Sequence, residues 1–268
     1  MKNLNIDLSD YHFLITGASG FIGSYLSEEF YKLGAKLSLI DKKFVENHWS
    51  FNTEINNLNK YECNILDKKK LDECIKTSFS EIGKVDAILS LAAIDHKVTS
   101  EFKSEQKYLS DLSKEQSLFE YELSIHGSIN VVDLCTRKLD KRDKLSVVLV
   151  GSDLSIIAPY QDLYRSSFGK YSEKPFSYST VKHALLGLTK YLASYWEDKD
   201  IRVNLLCPSG VNNESMPKAF KNKLMKLNPL SRICEIEELL GPSIFLLTEM
   251  STFYNGQTLI IDGGRTIW

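Results

Sequence analysis

The sequence predicts an α/β fold: a single domain over residues 1–268, built as a doubly wound parallel sheet of about seven strands with helices on both faces. Three observations carry that expectation. Short β-branched or apolar runs alternate with helical patterns from one end of the chain to the other, as repeated βαβ units require. The runs are nearly continuous in apolar character, which suits strands covered on both faces. The first run leads directly into a glycine-rich turn that opens a helix.

In chain order, "HFLIT" (residues 12–16) reads as the first strand, and "TGASGFIG" (16–23) as the turn into a helix over about 21–33. "KLSLI" (36–40) is the second strand, ending at Asp41, and a shorter strand is expected around "YEC" (61–63). Helical spacing over 69–82 then leads to the strand "AILSL" (87–91). A long helix over 115–138 precedes the strand "SVVLVG" (146–151). An amphipathic helix over 178–196, the strand "RVNLLC" (202–207), a helix over 235–248 and the strand "TLIID" (258–262) complete the alternation. Two polar insertions, residues 42–60 and 160–175, read as loops decorating the one domain, and substrate loops are expected at about 160–175 and 212–232.

Bulk composition sets limits. The chain is 43% hydrophobic and 25% charged with a net charge of −2, so neither a nucleic-acid footprint nor a polybasic membrane anchor is present. The opening residues lack the apolar core of a signal peptide, and no run approaches the roughly 18 apolar residues of a spanning helix. Five scattered cysteines form no C-x-x-C pair, and five dispersed histidines show no metal-ligand spacing. A cytoplasmic protein with reduced thiols, no metal, and no nucleic-acid or membrane partner is therefore expected.

The glycines of the first turn have the spacing of a Rossmann-type dinucleotide site. Gly17 permits a tight turn, Gly20 lets a pyrophosphate approach the backbone, and Gly23 allows close packing of helix on strand. The anion would rest on the helix N-terminus, beside Ser19, Phe21 and Ile22. Asp41 lies 18 residues past Gly23 and can accept from adenosine ribose hydroxyls while repelling a 2′-phosphate. NAD is thus the expected cofactor, with NADP not excluded because Lys42 and Lys43 adjoin the carboxylate. Farther along, Tyr178 and Lys182 stand four residues apart and share one helical face. Spacing alone leaves open an incidental surface pair or an acid/base dyad.

The ordered motifs resemble the short-chain dehydrogenase/reductase family over nearly the whole chain, in its single-domain form. They are "TGASGFIG", "CNILD" (63–67), "SLAA" (90–93), "VVLVGS" (147–152), the Tyr178-x-x-x-Lys182 pair, "IRVNLLCPSGV" (201–211) and "NGQTLIIDGG" (255–264). The style also resembles bacterial sugar-modifying members, among them flagellin-modification oxidoreductases. The glycine turn alone resembles the family's sugar-nucleotide epimerases and dehydratases, which run longer.

The resemblance implies that Tyr178 is the general acid/base, that Lys182 tunes it and holds the nicotinamide ribose, and that Ser152 hydrogen-bonds the reacting oxygen. An ammonium about 4 Å away at an effective dielectric near 20 is worth roughly 4 kcal/mol, enough to bring a phenol from about 10 to near 7. It implies further cofactor contacts from Asn64, Ile65, Ala92, Ala93, Pro208 and Val211, and a homotetramer or homodimer. Departures accompany it. Ser124 stands where the family usually has a catalytic Asn, Asn64 replaces an acid, and Ser209 replaces a glycine. Ser155 competes with Ser152, and 26 residues separate Ser152 from Tyr178, the excess being the 160–175 insertion. That insertion carries Tyr160, Gln161, Asp162 and Arg165, a mixture suited to a hydroxyl-rich or anionic ligand. The expected activity is NAD(P)-dependent interconversion of a hydroxyl and a carbonyl on a small, carbohydrate-like substrate. A sugar-nucleotide epimerase or dehydratase retaining its NAD, and a non-catalytic dinucleotide sensor, are the alternatives.

Overall fold

The structure is a computed structural model, and it describes residues 6–44, 57–94, 109, 113–168, 173–196 and 199–267. The strands are β1 (His12–Thr16), β2 (Lys36–Asp41), β3 (Leu58–Glu62), β4 (Ala87–Ser90), β5 (Lys144–Val150), β6 (Asp200–Pro208) and β7 (Thr258–Ile261). The helices are α1 (Phe21–Lys32), α2 (Lys68–Glu81), α3 (Lys114–Tyr121), α4 (Gly127–Thr136), α5 (Gln161–Phe168), α6 (Phe176–Ala193), α7 (Lys218–Leu227) and α8 (Leu240–Leu247). All strand pairs are parallel, in the order β3-β2-β1-β4-β5-β6-β7.

Alternating side chains on the pleat build two cores. Leu14, Ile88, Val147, Leu149 and Leu205 face the side covered by Leu71 and Ile75 of α2, Val131 and Val132 of α4, and Leu185 of α6. Phe13, Ile15, Leu89, Val148 and Leu206 face the side covered by Leu26 and Phe30 of α1 and by Ile244 and Leu247 of α8. Fully burying each such side chain stabilises the fold by about 1.5–3 kcal/mol, so both sheet faces are committed to core. What remains for ligands is the line of strand ends. The chain leaves β1 for β2 on one side and reaches β4 on the other, so the order reverses between β1 and β4. In open α/β sheets, ligands bind outside the C-terminal ends of the strands at such a reversal.

Three regions differ from the sequence expectation. The 42–60 segment read as a loop gives its last three residues to β3, which starts at Leu58 and pairs with β2 rather than beginning near Tyr61. The expected single helix over 115–138 is α3 and α4 joined by a π-helical turn, Glu122–His126. The segments read as loops each contain a helix, α5 within 160–175 and α7 within 212–232. Leu163 and Tyr164 of α5 pack with Leu224 and Phe220 of α7 in a satellite apolar cluster, and Lys223 pairs with Asp162 at 2.7 Å. Each helix is too short to persist alone and is stabilised by the other. Of the 42–60 insertion, residues 45–56 lie outside the described residues, as do 169–172 of the later one.

Among the described residues no helix is long and apolar enough to cross a membrane. Among them, too, no group of three or more His, Cys, Asp or Glu side chains could hold a metal ion.

Candidate active site

The cofactor end begins at the β1–α1 turn. Gly17 adopts φ +69°, a left-handed conformation that L side chains rarely take, and a Cβ there would lie 2.7 Å from the Ala92 amide nitrogen. The loops after β1 and β4 are therefore pressed together at the switch point, and Ala92 N–H reaches Thr16 Oγ1 at 3.4 Å. A Cβ on Gly23 would sit 2.2 Å from the Gly17 carbonyl oxygen, so only glycine lets α1 fold back this tightly. Gly20 caps α1 with no side-chain hydrogen bond, and the first turn holds no acidic residue. Its N–H groups and dipole are left for an outside anion, which fits a dinucleotide pyrophosphate. Phe21 is exposed at the helix start, Ile22 half-buried and Ser19 buried.

Asp41 lies at the end of β2, facing that turn. Its Oδ2 accepts the Ser19 N–H at 2.9 Å, and its Oδ1 takes a longer contact of 3.4 Å from the Lys43 N–H. The carboxylate thus braces the glycine turn and keeps acceptor capacity for hydroxyls. Asn64, expected among the cofactor contacts, follows β3. Its Oδ1 accepts from the Leu66 N–H at 3.1 Å in a local turn, which fixes the side chain and leaves one lone pair and the amide nitrogen for other partners. Ile65 is buried, and its carbonyl is held by Asn130 Nδ2 at 3.1 Å. Gly127 exists for the same loop: a Cβ there would meet Ile65 Cδ1 at 2.5 Å. Asn130 thus belongs to the cofactor-side scaffold. Ala92 and Ala93 follow β4 at the switch point, Ala92 half-buried and Ala93 exposed. At the far side, Pro208 ends β6, and Val211 bridges to Cys234 beyond it.

The reacting end is organised around α6. Lys182, one turn past Tyr178, is buried and donates from Nζ to the Val150 carbonyl at 2.9 Å, which fixes it against the end of β5. Its Nζ is 5.6 Å from the Tyr178 ring centroid. A second ammonium, that of Lys174, is 3.6 Å from the same centroid. Burial pushes the Cys207 thiol on β6 up to about 11, opposed by smaller effects of the Ser155 hydrogen bond and the Lys182 charge. That thiol is accordingly a poor nucleophile beside the dyad.

Ser152 follows β5 and heads the single 3-10 turn Asp153–Ser155. Ser152 is the N-cap of that turn, its Oγ accepting the Leu154 N–H at 3.2 Å, and the fully buried Ser155 completes a capping box by accepting the Ser152 N–H on its Oγ at 3.1 Å. Ser152 Oγ donates to Asp153 Oδ1 at 2.7 Å. Asp153 is itself buried, and its Oδ2 accepts from Ser209 Oγ and is paired with Arg265, both at 3.0 Å. Ser209, the departure after Pro208, thereby has a role: its hydroxyl supplies a partner that a glycine would lack. Ser124 sits in the π-helical turn, buried, with its carbonyl accepting from Ser128 Oγ at 2.7 Å. Ser128 Oγ in turn receives Ser90 Oγ at 2.9 Å, tying the end of β4 to this turn.

The turn after β5 and the π-helical turn both pack on α6, so the segments carrying Ser152 and Ser124 lie against the helix that carries Tyr178 and Lys182. Lys174, Asp153, Arg265 and Asn130 escaped the sequence reading. The side chains of Asp153 and Arg265 meet across 112 positions of chain, which no local pattern encodes. Lys174 carried only a conformational signal, the following Pro175, which disfavours helix at that residue.

The family model described as enoyl-(acyl carrier protein) reductase matches residues 17–266. The chain is 28% identical over 270 residues to an NAD-dependent glycerol dehydrogenase of Listeria innocua serovar 6a, covering 99% of this chain and 97% of that protein. It is 26% identical over 256 residues to the post-translational flagellin modification protein A of Campylobacter coli, covering 93% and 96%. A short-chain dehydrogenase of Leptospira borgpetersenii solved with bound NAD+ matches with a TM-score of 0.83 at 25% identity, over 99% of this chain and 96% of that one.

Proposed function

The chain belongs to the short-chain dehydrogenase/reductase family, and from that premise we propose a polyol- or sugar-oxidising reaction centred on Tyr178. It is an NAD(P)-dependent oxidoreductase that interconverts a hydroxyl and a carbonyl. The observation that carries the proposal is the placement of Tyr178 and Lys182 at the end of β5, with Lys182 fixed by the Val150 carbonyl.

The glycine turn and Asp41 would hold the dinucleotide, whose nicotinamide supplies the hydride acceptor or donor. Tyr178 takes the proton of the substrate hydroxyl, or returns it in the reverse direction. The Lys182 ammonium favours the phenolate form that this requires. Because a carboxylate only accepts, the Ser152 hydrogen points to Asp153; its oxygen also accepts the Leu154 N–H at 3.2 Å, which leaves one lone pair for an incoming O–H. An alcohol is therefore the better partner of this resting geometry than a carbonyl.

The polar insertion and the likeness to a glycerol dehydrogenase support a small hydroxyl-rich substrate. Large exposed side chains on α3 (Leu118, Phe119, Tyr121) and α6 (Tyr191), with Tyr195 just beyond it, support assembly as a homodimer or homotetramer. Five free cysteines fit a reducing cytoplasm.

A panel of glycerol, tetritols, hexoses, hexose phosphates and sugar nucleotides, read at the nicotinamide absorbance with NAD and with NADP and by chromatography of the products, tests the reading. Net reduced cofactor with a polyol or sugar, and faster with NAD, is expected. Turnover of a sugar nucleotide without net cofactor reduction would replace the reading with epimerisation or dehydration.

A further inference from the structure

Lys174 does not belong to the Tyr-x-x-x-Lys pair, yet of the two ammonium groups over the Tyr178 ring it is the nearer, at 3.6 Å from the centroid against 5.6 Å for Lys182. It is also only 8% exposed, an unusual condition for a lysine. Its backbone is held from both sides by one side chain: Gln161 Nε2 donates to the Lys174 carbonyl at 3.1 Å, and the Lys174 N–H donates to Gln161 Oε1 at 2.9 Å. Gln161 opens α5, which is packed on α7, so the lysine is anchored to the paired helices of the insertions. On its other side Pro175, at φ −56° and ψ 141°, starts α6 three residues before Tyr178. The stem of Lys174 is thus fixed between a clamped backbone and a helix start, and its charge lies on the face of the phenol.

We propose that Lys174 is a positioning residue for Tyr178, a second cation that holds the ring by its face and favours the phenolate. A cation over an aromatic face is attracted by the ring quadrupole, and a deprotonated phenol strengthens that attraction with a full negative charge. The insertion therefore contributes more than a wall to the substrate site: it delivers a charge that sets the ionisation of the acid/base. The other ionisable groups on elements packed against this part of α6 are Lys182, Cys207 on β6, Asp153 with its partner Arg265, Glu120 buried on α3, and Glu122 and His126 of the π-helical turn. Asp153 is matched by Arg265, the carboxylates of Glu120 and Glu122 oppose the phenolate, and among the described residues the ammonium groups of Lys174 and Lys182 are the cations placed over the ring.

The proposal rests on Tyr178 as acid/base, and its test is made independent of turnover. Phenolate absorbance is titrated in the NAD-bound protein, each form measured against its own Tyr178→Phe counterpart so that one tyrosine is isolated. The Tyr178 midpoint is expected to rise by about one pH unit in Lys174→Met and to stay near the wild-type value in Lys174→Arg. Lys174→Gln gives the same reading should the methionine variant fail to fold. A wild-type midpoint in either uncharged variant overturns the proposal, and so does an arginine variant that titrates like the methionine one. If Tyr178→Phe keeps full activity while the midpoint still follows Lys174, the acid/base role fails and the coupling of ammonium to phenol stands.

Discussion

Asp41 and the two lysines after it pull the choice of cofactor in opposite directions. The carboxylate has one oxygen engaged by the Ser19 N–H, which fixes it toward the glycine turn, while Lys42 and Lys43 are exposed and uncommitted to that position. A carboxylate fixed by a hydrogen bond outweighs solvent-screened exposed ammonium groups against a 2′-phosphate, so NAD is favoured. Asp41→Ser is expected to move the ratio of kcat/KM for NAD over NADP at least tenfold toward NADP; an unchanged ratio would show that the carboxylate does not face the ribose.

His12 supplies a second residue-scale prediction. Its ring is buried in β1, with Nδ1 near the Gly83 and Lys84 carbonyls and Nε2 near Ser38 Oγ, and burial holds its pKa below the usual 6.5 despite those carbonyls. The unfolded chain therefore binds the proton more readily, and stability is lost as pH falls from about 6.5 through the lower folded value. Urea midpoints measured from pH 7.5 to 5.5 should fall more steeply in wild type than in His12→Gln. Parallel curves would contradict this. Residue identity made the glycines, Asp41 and the Tyr178–Lys182 pair legible from sequence, because backbone conformation and charge act locally. It could not show that Asn64 would spend its oxygen on Leu66, a choice made by the turn it sits in.

At the scale of elements, strand positions were readable because a continuous apolar run of that length has few other uses in a chain of alternating units. β1 was expected over 12–16 and is found there, and β2 extends one residue beyond its expected end to Asp41. The helices α5 and α7 were not legible because each owes its stability to the other. The π-helical turn around Ser124 was hidden for a similar reason: side-chain spacing across 115–138 suits an uninterrupted helix, and the extra residue shows only in the backbone.

The most consequential link between elements is the Asp153–Arg265 pair, which joins the turn after β5 to the short helix beyond β7. Removing one member of a buried ion pair leaves an uncompensated charge and costs about 3–5 kcal/mol. Arg265→Met is therefore expected to lower Tm by roughly 10 °C, and adding Asp153→Asn should restore part of that loss. A single variant as stable as wild type would mean that Asp153 is not held as a buried anion.

Across the whole molecule, function follows from where the sheet leaves space. Both faces are filled by core, so ligands are confined to the strand ends, where β1 and β4 diverge. The cofactor-side turn, the Ser152 turn and the start of α6 all open there, and α5 and α7 add a pair of helices that brings Lys174 onto Tyr178. On the proposed reading, Tyr178 is the point on which the reaction depends. The most direct measurement compares single-turnover reduction of NAD by wild type and by Tyr178→Phe, with the best polyol or sugar of the panel and NAD binding confirmed for both. A loss of about 10²–10⁴ in rate with NAD affinity kept is the predicted result. A phenylalanine variant that reduces NAD at the wild-type rate would contradict the account.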